Sequence, residues 1–298
     1  MQGWHQGFIA VDWGTTNRRA WRLDAAGAVV DEMQDEAGVS AIASGNFAAA
    51  VAEIARRLGE GPMLLAGMIG SNRGWREAPY VSCPAGLADL ARNVLWVEPG
   101  RIGIVPGVSY LGGGRADVMR GEEVQVLGHF SEQGGEAGLL CHPGTHTKWV
   151  RLARGTIADF RTFMTGELFA LLRDHSILAP LLHGGTEPDD DFCAGAEVGL
   201  EGGDLAAELF SARARVLLGQ LDQACAAAWV SGLLVGADVR GGLATAGPER
   251  PRTVTVLGRP SLNRLYAAAL ARAGVQSHCG DGDAAFLAGI RAIAKDLP

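Results

Sequence analysis

Two short turns rich in glycine and threonine have the residue types that bind phosphate groups. The first is Asp12-Trp-Gly-Thr-Thr-Asn17, which follows the apolar run Phe8–Val11. Successive backbone N–H groups in such a turn form a concave site for anions, and the hydroxyl groups add donors. Asp12, at the end of a predicted strand, offers the hard oxygen ligand that a hydrated Mg²⁺ ion prefers. The turn therefore predicts a phosphate and metal site, and an Asx turn that closes a hairpin is the alternative.

The second turn, His142-Pro-Gly-Thr-His-Thr-Lys148, repeats the Gly-Thr core and adds side chains that can carry positive charge. A lysine on a strand is otherwise a solvated surface residue, but beside a repeated anion site we expect it to contact phosphate. Two facing turns of this kind would hold successive phosphates from both sides of a cleft. The residues predicted to contact phosphate are Gly14, Thr15, Thr16, Asn17, Gly144, Thr145, His146, Thr147 and Lys148.

The segments that contain the two turns resemble one another. Gly14-Thr15 matches Gly144-Thr145, and Arg22-Leu23 matches Arg151-Leu152. Each segment has the pattern of strand, turn, strand, turn and strand. This repeat predicts two copies of one supersecondary unit, and chance similarity between two hairpins is the alternative.

Strands and helices alternate through the rest of the chain, which predicts an α/β fold. A short polar connector at Ser131–Glu136 predicts lobes at 1–133, with the first phosphate turn and a sugar loop, and at 134–298, with the second turn and an adenosine site. The predicted strands are Met63–Met68, Ile102–Val105, Thr253–Leu257 and Val275–His278. The predicted helices are Asn46–Leu58, Leu87–Val94, Val118–Phe130, Glu167–Leu178, Asp190–Leu200, Leu205–Leu218, Leu221–Leu234, Ser261–Ala273 and Asp283–Ala294.

Composition excludes several classes of protein. The formal net charge is -7, and no basic cluster runs longer than two arginines, so we expect no nucleic-acid partner. The five cysteines are widely spaced without a CxxC pair, which is typical of a reduced, cytoplasmic protein. No apolar run is long enough for a membrane span, which needs about 20 residues. We therefore expect a cytoplasmic protein that does not contact membranes.

Longer motifs resemble a known family. The two turns, together with the late segment Val256-Leu-Gly258, resemble the actin-like ATPase and sugar-kinase superfamily. More narrowly, several stretches resemble the 2-dehydro-3-deoxygalactonokinase family: Ala66–Tyr80, Val118–Gln125, Pro143–Trp149, Asp159–Glu167 and the shorter Ser231–Ala237. This resemblance implies a two-lobed actin-like (ribonuclease H-like) ATPase fold with an internal duplication and an interlobe cleft.

The resemblance also implies the activity and the cofactors. It points to a kinase that uses ATP and Mg²⁺ to phosphorylate the 6-hydroxyl of 2-dehydro-3-deoxy-D-galactonate in carbohydrate metabolism, with Asp12 at the metal. In the superfamily the turn equivalent to Gly258 packs on adenosine, and Ser261 and Gly236 are assigned to the same site.

Two further roles are assigned to side chains of the resembling stretches. Distantly similar carbohydrate kinases carry Gly-Asp where this chain has Arg120-Gly-Glu-Glu123, which makes Glu122 the first choice for the catalytic base and Glu123 the second. A glutamate in a first helical turn is also favoured by the helix dipole alone. Either Arg73 or Arg161 would grip the substrate carboxylate. The full set expected at the sugar acid is Ser71, Asn72, Arg73, Trp75, Arg161 and Glu167.

Two other functions remain open from the sequence. One is a related sugar or sugar-acid kinase of the same superfamily, such as one for the gluconate epimer, because pocket loops differ within a fold. The other is a non-catalytic nucleotide-gated binding protein. The expected partners are a sugar acid and ATP, and the sequence leaves open whether the protein is a homo-oligomer.

Overall fold

The computed structural model describes residues 4–43, 45–135, 137–247 and 251–297, with the His5 side chain left out. The chain forms two compact units. The first comprises 1–136, 153–159 and 283–298, and the second comprises 137–152 and 160–282. The assignment of separate roles to 1–133 and 134–298 stays a prediction. No helix of the described residues has the length and apolar character needed to cross a membrane.

The first unit is built on a six-stranded sheet with the order β3-β2-β1-β4-β7-β6. Strands β1 to β3 form an antiparallel meander, whereas β1, β4 and β7 run parallel. A three-stranded sheet, β5-β8-β9, follows. The strands are β1 (Phe8–Trp13), β2 (Arg18–Leu23), β3 (Val29–Asp35), β4 (Met63–Gly67), β5 (Tyr80–Ser82), β6 (Leu95–Glu98), β7 (Ile102–Ile104), β8 (Gly107–Gly112) and β9 (Arg115–Met119); the helices are α1 (Phe47–Leu58), α2 (Leu87–Arg92) and α3 (Glu122–Gln133).

The second unit is built on a five-stranded sheet with the order β12-β11-β10-β13-β14. Here β10 and β11 pair antiparallel, and β10, β13 and β14 run parallel. The strands are β10 (Gly138–His142), β11 (Thr147–Ala153), β12 (Thr156–Phe163), β13 (Thr253–Leu257) and β14 (Gln276–Gly280); the helices are α4 (Thr165–His175), α5 (Asp190–Glu201), α6 (Leu205–Leu217), α7 (Ala226–Leu243) and α8 (Pro260–Arg272). The next helix, α9 (Gly282–Lys295), belongs to the first unit from residue 283 onward.

The two sheets share one topology. The order β3-β2-β1-β4-β7 in the first sheet corresponds to the order β12-β11-β10-β13-β14 in the second. The first sheet has one additional strand, β6, at its edge. In each, helices connect the third strand to the fourth, and a helix follows the repeat: α3 in the first case and α9 in the second. The predicted internal duplication is therefore confirmed.

The central parallel strands are apolar throughout because helices or loops cover both faces of the sheet. All residues of β4 are buried, as are most residues of β1, and they pack with Phe47, Ile54 and other residues of α1. In the second unit, Val254 and Val256 of β13 pack with Tyr266 and Leu270 of α8. These cores hold the strand ends, and hence both turns, in fixed positions.

Two predicted helices are wrong in extent. The helix predicted over Val118–Phe130 begins too early, because Val118 and Met119 belong to β9 and Gly121 has φ +108°, which breaks the helix before Glu122. The helix predicted over Leu221–Leu234 instead runs from Ala226 to Leu243. Nearly all of α7 is buried, so it lacks the amphipathic period by which helix ends are recognised.

The last helix of the chain packs closely on α3 within the first unit. A Cβ atom on Gly128 would lie 2.0 Å from the Ala285 carbonyl oxygen, and one on Gly289 would lie 2.1 Å from the Val124 carbonyl oxygen. The Phe286 ring also lies 5.3 Å from the Trp21 ring, measured between centroids. The two helices therefore meet backbone to backbone, which requires glycine at both contact positions.

Candidate active site

The first Gly-Thr turn connects β1 to β2 and projects its threonines into solvent. The Gly14 amide donates to the Asn17 carbonyl at 2.9 Å, which closes the turn, and Thr15 and Thr16 are exposed. Among the described residues, the amides of Thr15 and Thr16 donate to no backbone carbonyl. The turn thus has the free N–H groups that an anion site needs.

A short segment after β3, residues 38–40, is hydrogen-bonded to this turn. The Gly38 amide donates to the Thr16 carbonyl at 3.0 Å, and the Ser40 amide donates to the Thr15 carbonyl at 3.0 Å. A Cβ atom on Gly38 would lie 2.3 Å from the carbonyl carbon of Thr16. Only glycine fits at position 38. The Thr15 and Thr16 carbonyl groups point toward this segment and accept hydrogen bonds from it.

The second Gly-Thr turn, between β10 and β11, is supported in the same way. The Glu167 amide donates to the Thr145 carbonyl at 2.9 Å, and a Cβ atom on Gly166 would lie 2.5 Å from the Gly144 carbonyl oxygen. Gly38 is the third residue after β3 and Gly166 is the third residue after β12. The duplication therefore extends to a supporting glycine, which sequence reasoning missed although its spacing from the third strand could have identified it.

The side chains of the second turn divide between solvent and core. Thr145 and His146 are exposed, and His146 Nε2 contacts Glu167 Oε2. Thr147 is fully buried and its hydroxyl lies 2.7 Å from the Tyr266 hydroxyl, while Lys148 is also buried. Thr147 thus directs its side chain into the core, and Glu167, assigned to the sugar acid, pairs with a residue of the turn.

Asp12 is held by an ion pair at the end of β1. Its Oδ2 accepts a hydrogen bond from Arg19 Nη2 at 2.7 Å, and the same guanidinium contacts Asp283 at the start of α9. Burial raises the pKa of Asp12; Arg19 opposes this shift, and the negative charges of Asp283 and Glu122 add to it. Asp12 and Asp283 therefore share one arginine, with the charge of Glu122 acting on Asp12, and the sequence did not predict this acidic group.

Two glycines place the start of α3 beside the end of β4. A Cβ atom on Gly121 would lie 3.2 Å from the Gly67 Cα, and both glycines have positive φ. Glu122, the residue after Gly121, is partly exposed. The structure therefore brings the predicted base and the predicted sugar loop, which begins after Gly67, into one region of the first unit.

Glu123 has a different environment from Glu122. Its Oε2 accepts a hydrogen bond from the Gly121 amide at 2.7 Å, and its side chain has no exposed surface. Among the described residues, none gives Glu123 Oε1 a hydrogen-bond partner. Burial raises the pKa of this carboxyl to about 8, and the charge of Glu122 adds to the shift.

The predicted sugar loop is a tight turn with exposed polar side chains. The Ser71 hydroxyl donates to the Met68 carbonyl at 2.7 Å and accepts from the Arg73 amide at 3.2 Å. Asn72 and Arg73 are exposed, and Trp75 is half-buried against the core of the unit. Ser71 therefore shapes the loop, while Asn72 and Arg73 are the side chains free to meet a ligand.

Sequence reasoning missed Arg120, which lies under the same loop. Its Nη2 donates to the Ala78 carbonyl at 2.7 Å, and its guanidinium carbon lies 4.3 Å from the centre of the Tyr80 ring. Among the described residues, Nε and Nη1 of this buried arginine have no hydrogen-bond partner. Its position in the sequence, directly before Gly121 and two residues before the predicted base Glu122, could have identified it as a site residue.

The other predicted arginine lies in the second unit. Arg161 is an exposed residue of β12, and its guanidinium carbon lies 5.4 Å from the centre of the Phe163 ring.

The predicted adenosine residues occupy three different settings. Gly258 follows β13, where its Cβ would lie 2.9 Å from Pro143 Cγ, so it adjoins the second turn. Ser261 is exposed in the first turn of α8. Gly236 is buried in α7, where its Cβ would lie 2.2 Å from the Ala196 carbonyl oxygen of α5. Helix packing is sufficient to explain Gly236, and its contact with adenosine stays a prediction.

The acidic group around Asp12 has the donor chemistry for magnesium. Among the described residues, no cluster of three or more His, Cys, Asp or Glu side chains is arranged as a complete metal cage. Mg²⁺, however, is usually bound through one or two carboxylates together with water and substrate phosphates. A single carboxylate beside a phosphate turn therefore fits this ion.

The repeated topology and the paired turns define a class of protein, the duplicated actin-like ATPase fold. The same fold occurs in the activator of the 2-hydroxyisocaproyl-CoA dehydratase from Clostridium difficile, solved with bound ADPNP (TM-score 0.51, 11% identity, 97% of this chain and 95% of that one). The family model for 2-keto-3-deoxy-galactonokinase matches residues 12–293. The chain belongs to this family and is a phosphotransferase.

Two similar proteins agree with that assignment. The 2-dehydro-3-deoxygalactonokinase of Escherichia coli (strain K12) is 38% identical over 289 residues, which cover 96% of this chain and 97% of the relative. A Sinorhizobium meliloti crystal structure described as a 2-dehydro-3-deoxygalactonokinase protein superimposes with a TM-score of 0.90 at 36% identity, covering 97% of this chain and 98% of that one. The family resemblance deduced from the sequence is confirmed.

Proposed function

We propose that the protein transfers the γ-phosphoryl group of MgATP to the 6-hydroxyl of 2-dehydro-3-deoxy-D-galactonate. The products are ADP and the 6-phosphate of the sugar acid. The observation that carries the proposal is the pair of phosphate turns, each with at least one exposed threonine and each supported by a glycine after the third strand. Family membership supports the choice of substrate.

The turns would bind ATP mainly through their backbones. Thr15, Thr16, Thr145 and His146 are exposed, so their amides and side chains can reach phosphate oxygens. Gly258 packs against Pro143 of the second turn, so an adenosine bound beside Gly258 would lie close to the phosphates.

Asp12 would hold Mg²⁺ once the Arg19 guanidinium releases its Oδ2. The ion would supply positive charge that neutralises the negative charge developing during phosphoryl transfer. Before the metal arrives, Arg19 compensates the charge of Asp12.

Glu122 would accept the proton of the substrate hydroxyl. It is partly exposed, whereas Glu123 is buried with a pKa of about 8 and holds its proton at neutral pH. A positioned base contributes roughly 10²–10⁴-fold to the rate. Glu123 would then keep the helix start in place through its bond to the Gly121 amide.

Arg73 would bind the substrate carboxylate. It is exposed in the loop that adjoins the start of α3, in the same unit as Glu122. A guanidinium can form two parallel hydrogen bonds to a carboxylate, which lysine cannot. Arg161 is the second candidate for this role.

A substrate panel tests the proposal. Purified protein with ATP and Mg²⁺ is expected to form ADP with 2-dehydro-3-deoxy-D-galactonate and to do so more slowly with the gluconate epimer. Faster turnover of the epimer would favour the related sugar-acid kinase. Nucleotide binding without ADP formation on either acid would favour a nucleotide-gated binding protein. We further propose that the protein works in the cytoplasm and binds no nucleic acid, in keeping with its net charge of -7.

A further inference from the structure

A buried carboxylate without a role in the proposed chemistry joins four elements of the second unit. Asp238 lies in α7 and is 2% exposed. Its Oδ1 accepts a hydrogen bond from Trp149 Nε1 at 2.6 Å, and its Oδ2 accepts one from the Tyr266 hydroxyl at 2.5 Å. The Thr165 hydroxyl donates to the same Oδ2. One side chain of α7 is thus bonded to β11, α8 and α4.

Tyr266 extends this network to the second phosphate turn. Its hydroxyl lies 2.7 Å from the Thr147 hydroxyl, and both residues are buried. Because the single Tyr266 hydroxyl hydrogen is donated to Asp238, the Thr147 hydroxyl must donate to Tyr266. Thr147 is the last residue of the turn. A chain of two hydrogen bonds, from Thr147 to Tyr266 and from Tyr266 to Asp238, fixes its position.

Thr165 extends the network to the opposite side of the turn. It precedes Gly166, which packs against the Gly144 carbonyl, and Glu167, whose amide donates to the Thr145 carbonyl at 2.9 Å. The bond from Thr165 to Asp238 therefore fixes the residues that support the beginning of the turn.

A carboxylate suits this position better than an amide. Trp149, Thr165 and Tyr266 all donate to Asp238, which matches the acceptor-only chemistry of an ionised carboxylate. An asparagine would place an N–H group against one of these donors. Burial raises the pKa of Asp238, and the donated hydrogen bonds oppose that shift.

We propose that Asp238 is a positioning residue for the turn Gly144–Thr147. Through Tyr266 and Thr165 it holds both ends of the turn in the conformation that binds the phosphates of ATP. The inference rests on the proposed function, because it takes this turn to be a nucleotide site. Asp238 itself is buried and acts only through its neighbours.

Hydroxyl deletions test the inference without removing a buried charge. Tyr266→Phe and Thr147→Val each break the chain, whereas Thr147→Ser keeps the hydroxyl. Thr245→Val is the matched control, because it removes a hydroxyl of the same unit that donates to the Gly242 carbonyl and forms no bond of the network. Asp238→Asn tests the carboxylate directly. If that variant does not fold, the hydroxyl deletions alone test the inference. The measurements are MgADP affinity by calorimetry, the KM values for ATP and sugar acid, kcat and Tm.

The expected result is a loss confined to the nucleotide. Tyr266→Phe and Thr147→Val should each weaken MgADP binding and raise KM for ATP by about tenfold, because a buried partner is left unsatisfied. KM for the sugar acid should change less than about twofold. Thr147→Ser should restore nucleotide affinity, and the double variant should be no worse than either single one, since both break the same chain.

Two outcomes overturn the inference in different ways. Unchanged MgADP affinity in both deletions, with a Tm loss equal to that of Thr245→Val, would make the network purely stabilising and leave the proposed function intact. A wild-type protein that binds neither MgADP nor MgATP would overturn the proposed function and this inference with it.

Discussion

Glu122 and Glu123 each accept a hydrogen bond from the backbone just before α3, but only Glu123 is fully buried. The Arg120 amide lies 3.2 Å from Glu122 Oε2, and the Gly121 amide lies 2.7 Å from Glu123 Oε2. The two neighbouring carboxyl groups therefore brace the same two residues while facing different surroundings. Under the proposed function, this difference would make Glu122 the proton acceptor and Glu123 a structural acid.

The first prediction separates the two glutamates by kinetics. Glu122→Gln should lower kcat by roughly 10²–10⁴-fold with little change in KM, because it removes the base. Glu123→Gln should keep kcat within about tenfold of wild type. Steady-state assays of ADP release measure both. The reverse ranking would transfer the role of base to Glu123.

The second prediction concerns stability and pH. The pKa of Glu123 is raised from 4.5 to about 8 by burial, so its neutral form stabilises the fold at low pH and this contribution is lost as pH rises toward 8. Between pH 4.5 and pH 8, the free energy of unfolding of Glu123→Gln minus that of wild type should increase by roughly 1.4 kcal/mol per pH unit. Urea unfolding at several pH values measures the difference. Parallel curves for the two proteins would show that the carboxyl is not buried in its neutral form.

The third prediction addresses the metal. Asp12→Asn should lower kcat at least about a hundredfold, since it removes the charge that would hold Mg²⁺. Circular dichroism and Tm should show an intact fold. Asp24→Asn is the matched control, because Asp24 accepts hydrogen bonds from the Ala26 and Ala28 amides of the turn between β2 and β3. The activity of this variant should equal that of wild type. Full activity in Asp12→Asn at low Mg²⁺ would remove the metal role.

The fourth prediction concerns the supporting glycines. Gly38→Ala and Gly166→Ala should each displace a phosphate turn, destabilise the fold by about 1–3 kcal/mol and raise KM for ATP. Gly185→Ala serves as control, since no atom lies within 4 Å of the added Cβ there. Thermal unfolding and ATP kinetics measure both effects. A KM for ATP that stays at the wild-type value in both variants would mean that the turns do not contact the nucleotide.

The fifth prediction distinguishes the two arginines. Arg73→Lys should raise KM for the sugar acid by about tenfold and leave KM for ATP unchanged, because lysine cannot form the paired hydrogen bonds. Arg161→Lys should leave both values near wild type. The opposite pattern would assign the carboxylate to Arg161.

The parts of the fold that depend on local pattern were predictable from the sequence. The repeated Gly-Thr turns indicated the duplication because each follows a strand of the same kind. The sequence does not predict the sheet β5-β8-β9, and it predicts helix over part of β9, because the short apolar run at Val118 fits either period.

The site was predictable only where its residues are close in sequence. Asp12 with its turn, and Glu122 with Gly121, were identified on that basis. The pairing of Arg19 with Asp283 joins distant parts of the chain, as does the chain from Thr147 through Tyr266 to Asp238. Such contacts depend on how elements pack, and periodicity in one segment contains no information about them.

The close packing of α9 on α3 has a consequence for biosynthesis. Gly128 and Gly289 meet within a unit that otherwise consists almost entirely of the first part of the chain. During translation, that first part emerges early but lacks the partner helix of α3 until α9 (Gly282–Lys295) has been synthesised. The unit that begins first is thus completed after the second unit, and a nascent chain stalled before α9 would expose the glycine-lined face of α3.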